Sequence, residues 1–137
     1  MIEIIRLNES HVAPIAAIEK QCFSAPWDEA SVRSEITNPL ALWLVAVEDG
    51  QVLGYVGSQT VLREADMMNV AVAAAYRRRG IAAKLFAQVE GWARERGAVR
   101  LELHTWDFNQ GAIAMYRDMG MTPQRYVFEK KLQKENC

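Results

Sequence analysis

The sequence predicts an α/β fold: a mixed, mostly antiparallel sheet with one parallel pair of central strands and about four helices. Three observations carry this. Short apolar runs of strand length alternate with longer runs of helical period. Asp49-Gly50 sits between the apolar runs Leu42–Val47 and Val52–Leu62, a hairpin signal that makes those two strands antiparallel. Between Met67 and Gly97 a strand, a glycine loop and a long amphipathic helix form a crossover, which makes the strands on either side of it parallel. The 137 residues are expected to form one domain, 1–137, large enough for a single core.

The elements follow in order. Ile2–Arg6 alternates weakly, as a first strand does. Asn8 or Ser10 can cap a helix with apolar positions at Val12, Ile15, Ala16 and Ile18, ending around Cys22-Phe23. Pro14 lies near its start, where proline is tolerated. The turn Phe23-Ser24-Ala25-Pro26-Trp27-Asp28 carries two large aromatics, and Asp28 can cap a second helix from Glu29 to Thr37. Phe23 and Trp27 either anchor the two helices on the core or, with Pro26, form a rigid substrate wall. In Val52–Leu62, Gly54 and Gly57 point to a bulge or close packing. Arg63-Glu64-Ala65 turns into a strand at Asp66–Val72. The long helix then has Ile81, Leu85, Val89 and Trp92 on one stripe, Lys84, Gln88 and Glu95 opposite, and Gly97 as its stop. Val99–His104 reads as a fifth strand, Gln110–Met119 as a short helix capped by Gly120, and Tyr126–Leu132 as a last strand.

Composition excludes several functions. A net charge of −1 argues against a nucleic-acid binder. No apolar run reaches membrane-spanning length and Met1-Ile2-Glu3 does not begin a signal peptide, so a soluble cytoplasmic protein is expected. Cys22 and Cys137 make neither a metal spacing nor a disulfide framework, and no metal is expected. What remains is local: Arg77-Arg78-Arg79-Gly80-Ile81-Ala82, between a strand and a helix. Orphan amides and the helix dipole make such a loop an anion site, and three arginines before it imply a ligand with more than one phosphate charge. The loop lacks the dinucleotide glycine pattern and the Gly-Lys-Ser/Thr of a P-loop.

That loop resembles the acyl-CoA loop of the GNAT acetyltransferases, and the likeness covers nearly the whole chain. Asn69-Val70-Ala71-Val72 is similar to the family's fourth strand. Asn109 to Tyr116, followed by Met119-Gly120-Met121, resembles its Asn-x-x-Ala…Tyr…Leu-Gly-Phe segment. Cys22-Phe23-Ser24-Ala25-Pro26-Trp27, Asn38-Pro39 and Val56-Gly57 resemble the RimI branch, the ribosomal-protein N-terminal alanine acetyltransferases, here with a shortened C-terminus. Only one strand follows the last helix, which suits a monomer or a homodimer whose second subunit completes the sheet.

The resemblance implies a GNAT fold whose fourth and fifth strands splay around acetyl-CoA. The pantetheine arm would lie along Asn69, Val70 and Val72, with the Val70 amide facing the thioester oxygen. Amides of the loop that runs through Arg77, Arg78, Arg79, Gly80, Ile81, Ala82 and Ala83 would hold the pyrophosphate, and Asn109 the arm. Tyr116 matches the tyrosine beside the thioester sulfur. A phenol of pKa ~10 can donate to a thiolate whose conjugate acid is near ~8.5. His104 takes the base position, with Glu64 and Glu102 as rivals. An imidazole of pKa ~6.5 suits an α-amine at ~7.7–8.0 far better than a lysine at ~10.4. Phe23, Pro26, Trp27 and Tyr126 would line the acceptor groove. The expected activity is acetyl-CoA-dependent N-acetylation of a primary amine, a protein or peptide N-terminus first. A small-molecule amine, or a non-catalytic acyl-CoA-binding module, stays open.

Overall fold

The computed structural model describes residues 1–103, 110–124, 128, 130 and 132. The chain forms two compact units, Met1–His104 and Thr105–Cys137.

The first unit is a five-stranded sheet in the order β1-β2-β3-β4-β5 with helices on both faces. Its elements are β1 (Glu3–Arg6), α1 (Glu9–Cys22), α2 (Glu29–Glu35), β2 (Ala41–Glu48), β3 (Gln51–Val61), β4 (Glu64–Val72), a 3₁₀ turn (Ala74–Tyr76), α3 (Ile81–Glu95) and β5 (Arg100–Leu103). The first three pairings are antiparallel, and β4 with β5 is parallel, as the crossover through α3 demands. One face is filled by Val12, Ile15 and Ile18 of α1 and Val32 of α2 against Trp43, Val45, Tyr55 and Ala71. Gly57 is required here: a Cβ on it would lie 2.4 Å from the Trp43 ring. Ile81, Leu85, Phe86, Val89 and Ala93 of α3 are buried on its other side. No helix of the described residues is long and apolar enough to cross a membrane.

The helix ends obey local chemistry. Asn8 caps α1 and Asp28 caps α2 with side-chain oxygens. At Gly97 (φ 84°) Ala98 N–H bonds Ala93 C=O and Gly97 N–H bonds Arg94 C=O, a Schellman stop for α3. Two expectations need correction. Trp92 is only half-buried, with the Arg96 guanidinium 4.6 Å over its ring, and Phe86 takes the core position instead. The turn before β4 is Leu62-Arg63, with Leu62 at φ 55°, so the strand begins at Glu64.

His11 closes the capping box of α1: its Nδ1 accepts from the Asn8 amide at 3.1 Å. Burial lowers its pKa. Between that lowered value and about 6.5 the unfolded chain binds a proton that the folded chain refuses, so stability falls as pH falls below about 6.5. Thermal melts should show Tm dropping across that window. His11→Gln, which keeps a cap acceptor without the titration, should flatten the drop; an unaltered slope would refute the assignment.

The second unit contains α4 (Gln110–Asp118). It ends at Gly120 (φ 87°), where Met121 N–H bonds Tyr116 C=O and Gly120 N–H bonds Arg117 C=O. Most of the expected last strand, Tyr126–Leu132, lies outside the described residues.

Candidate active site

Among the described residues β4 pairs with β5 from Glu64 to Met67, opposite Arg100 to Leu103. At that point the register with β3 slips: Ser58 faces Met67 and Gly57 faces Asn69, so Met68 is the extra residue of a bulge. A bulge bends its strand and increases the local twist. From Asn69 to Val72 β4 stays paired to β3, and among the described residues no strand pairs with its other edge.

The groups on that edge can be assigned by alternation. Ala73 N–H bonds Leu53 C=O of β3 at 2.9 Å. Val72 and Val70, out of phase with Ala73, then turn their N–H and C=O away from β3, toward the open side. The Val72 carbonyl accordingly accepts from Arg77 Nε at 3.0 Å rather than from a strand. The same alternation turns the Asn69 amide toward β3, and its side chain bonds Glu19.

The loop after β4 leads from that edge to α3. α1 and α2 have side-chain caps, but α3 begins at Gly80, left-handed at φ 74°, with none. Its first hydrogen bond is Lys84 N–H to Gly80 C=O at 3.2 Å, and the amides of Arg78 to Ala83 use no acceptor among the described residues. A set of uncapped amides at the positive end of a helix dipole is suited to phosphate oxygens. The three arginines do not act as one cluster. Arg77 is tied to the Val72 carbonyl and to Cys22 Sγ, and Arg79 bonds both oxygens of Glu48 at 3.1 Å. That hydrogen bond holds the Glu48 carboxyl below its usual range. Arg78, at φ 66°, has no partner among the described residues. What the loop offers an anion is therefore its backbone amides and one guanidinium, that of Arg78.

The Phe23–Trp27 turn is pinned from below. Glu19, fully buried, accepts from the Trp27 amide at 2.9 Å, from the Tyr55 hydroxyl, and from Asn69 Nδ2 at 2.9 and 3.0 Å. Burial, and then this carboxylate, push the Tyr55 phenol far above its ordinary value. The Trp27 ring packs on Trp43, centroids 5.2 Å apart. Phe23 is 37% exposed and Pro26 is exposed. Trp27 thus anchors the turn, and Phe23 and Pro26 face solvent.

The Acetyltransferase (GNAT) family profile matches residues 12–121. The chain belongs to the GNAT acetyltransferase family. It is 34% identical over 107 residues to a putative ribosomal protein bS18-alanine N-acetyltransferase of Bacillus subtilis, covering 77% of this chain and 71% of the relative. Among solved structures it is similar to the ribosomal-protein-S18-alanine N-acetyltransferase of Escherichia coli, with a TM-score of 0.79 and 28% identity over 88% of this chain and 77% of that one. It is also similar to an aminoglycoside 6'-N-acetyltransferase of Acinetobacter baumannii, with a TM-score of 0.80 and 25% identity over 98% and 100% of the two chains. Family and relatives make this GNAT protein an acyltransferase.

The remaining expected residues fall into two groups. Glu64 stands where β4 and β5 are still paired, exposed, with Arg100 Nη1 3.3 Å from its carboxylate. Six residues of strand, roughly 20 Å, separate it from Val70. Glu102 lies on β5 opposite Asp66. Tyr116 lies on α4, half-buried, and burial raises its phenol pKa. His104, Asn109 and Tyr126 lie outside the described residues. The sequence reading missed Glu19. The signal was present: Glu19 follows Val12, Ile15 and Ala16 at i+7, i+4 and i+3, on the apolar stripe itself.

Proposed function

We propose that this protein transfers the acetyl group of acetyl-CoA to the α-amino group of a protein N-terminus. The observation that carries the reading is the juxtaposition of a β4 edge at Val70 and Val72, without a strand partner among the described residues, with the uncapped start of α3. A long ligand with a diphosphate at one end fits that arrangement.

Acetyl-CoA supplies the acyl group as a thioester. Amides of Arg78 to Ala83 bind its diphosphate, and the Val70 N–H hydrogen-bonds the thioester oxygen, stabilising the charge that develops there. Tyr116 donates its proton to the departing thiolate. His104, acting through water, removes a proton from the attacking amine. That role holds if His104→Ala shifts the acid limb of the pH–rate profile, and it fails if the limb stays.

The acceptor is drawn from the relatives, which are N-acetyltransferases of ribosomal protein bS18-alanine. The turn at Phe23, Pro26 and Trp27 lines its approach. A second reading, an aminoglycoside or other small amine, draws on the similarity over the full length of an aminoglycoside acetyltransferase. Thiol release with a panel of peptides, polyamines and aminoglycosides separates the two. Peptides with a free N-terminal alanine should show kcat/KM about tenfold or more above any small amine, and their N-acetylated forms should show none. Preference for an aminoglycoside would replace the first reading with the second.

A further inference from the structure

We infer that Glu19 is a positioning residue that locks the acceptor-side turn to the strand carrying the thioester contact, an inference that rests on the acetyl-transfer reading above. Glu19 has no exposed surface and no cation bonded to it among the described residues. A carboxylate in such a place is costly unless its oxygens are fully hydrogen-bonded. They are. Oε1 accepts from the Trp27 amide and Asn69 Nδ2; Oε2 accepts from the Tyr55 hydroxyl and Asn69 Nδ2. Four contacts fill the four lone-pair sites of a carboxylate, which leaves no capacity for a substrate proton. Glu19 is therefore not a base.

The donors identify what it does. Trp27 belongs to the turn between α1 and α2, Tyr55 to β3, and Asn69 to β4 one residue past the bulge and one before Val70. β4 is also held by its ladder to β3. The turn is not: from Ser24 to Trp27 the Trp27–Glu19 bond is the only backbone amide hydrogen bond among the described residues. Beside the packing of the Trp27 ring on Trp43, this carboxylate is the hydrogen-bonded tie between the acceptor wall and the strand of the thioester-facing amide. Misplacement of a bound reactant by about 1 Å can cost up to about 100-fold in rate, so the tie bears on the acceptor and not on acetyl-CoA. It also accounts for the asparagine that opens Asn69-Val70-Ala71-Val72.

The test compares Glu19→Gln, which keeps one acceptor oxygen, with Glu19→Met, which keeps volume and none. The peptide KM should rise from wild type to Gln to Met, by about tenfold at Met, while the calorimetric Kd for acetyl-CoA stays within about twofold. Exchange of the Trp27 amide hydrogen should accelerate in the same order. If Glu19→Met does not fold, the double variant Glu19→Met, Tyr55→Phe, which removes the hydroxyl left without its acceptor, decides instead. A peptide KM unchanged in the folded methionine variant, single or double, or an acetyl-CoA Kd rising in step with it, overturns the inference. Failure of the wild type to acetylate any amine would sink the acetyl-transfer reading instead. Trp27 exchange needs no turnover: slow exchange persisting in Glu19→Met refutes the lock by itself.

Discussion

Replacing Tyr116 with phenylalanine is expected to lower kcat by about 100-fold or more, while the Kd for acetyl-CoA stays within about twofold. The argument starts from proton accounting. An amine attacking a thioester loses a proton and the leaving sulfur needs one. A phenol donates only while protonated, and burial moves the Tyr116 pKa further up. Tyr116 therefore stays a donor throughout the neutral range, and the tyrosine does not itself switch activity off as pH rises toward 9. Its helix is well defined: the Schellman bonds at Gly120 stop α4 two residues beyond Asp118. Phenylalanine keeps the ring and its packing, so thermal stability should hardly change. Steady-state thiol release with a saturating peptide, alongside calorimetry, measures both quantities. A loss in kcat of less than about threefold would show that water protonates the thiolate and that Tyr116 is only a packed aromatic.

Much of the fold was legible because it rests on local rules. Asn8, Asp28, Gly97 and Gly120 act within one turn of their own position, and each does what its residue type predicts. The parallel pairing followed from the connection through α3. The losses came where a distant partner decides. Leu62 carries no turn signal, yet it takes a left-handed φ so that β3 and β4 can pair from Val61 and Glu64 onward. Trp92 sits on the apolar stripe of α3 yet is only half-buried, with Arg96 over its ring, while Phe86 and Ala93 are buried. Arg77 and Arg79 look like ligand charges in a row, and only the folded chain supplies Val72 and Glu48 to occupy them. Glu19 is the sharpest case. A helical wheel puts it in the core, but its three donors lie 8, 36 and 50 residues away. Periodicity reads burial; it does not read what satisfies a buried charge.

Gly80→Val should weaken acetyl-CoA binding by about tenfold or more, equivalent to about 1.4 kcal/mol. Gly80 holds φ 74° and ψ 16° at the start of α3. A branched side chain there disfavours the left-handed backbone that aims the following amides, at a cost of about 1–2 kcal/mol. It also places methyl groups in the open space where an anion would approach. Strain alone would lower stability without regard to the ligand, so a matched control is needed. Gly50 provides it: φ is +78°, an added Cβ likewise meets nothing within 4 Å, and the residue lies in the β2–β3 hairpin. Gly50→Val should therefore lose a comparable amount in thermal stability and leave the acetyl-CoA Kd as it is. If both variants bind acetyl-CoA equally well, the amides of the Gly80 loop do not hold the diphosphate. If both lose affinity alike, the loss reports general destabilisation. Only a loss confined to Gly80→Val ties the uncapped helix start to the ligand's charged end.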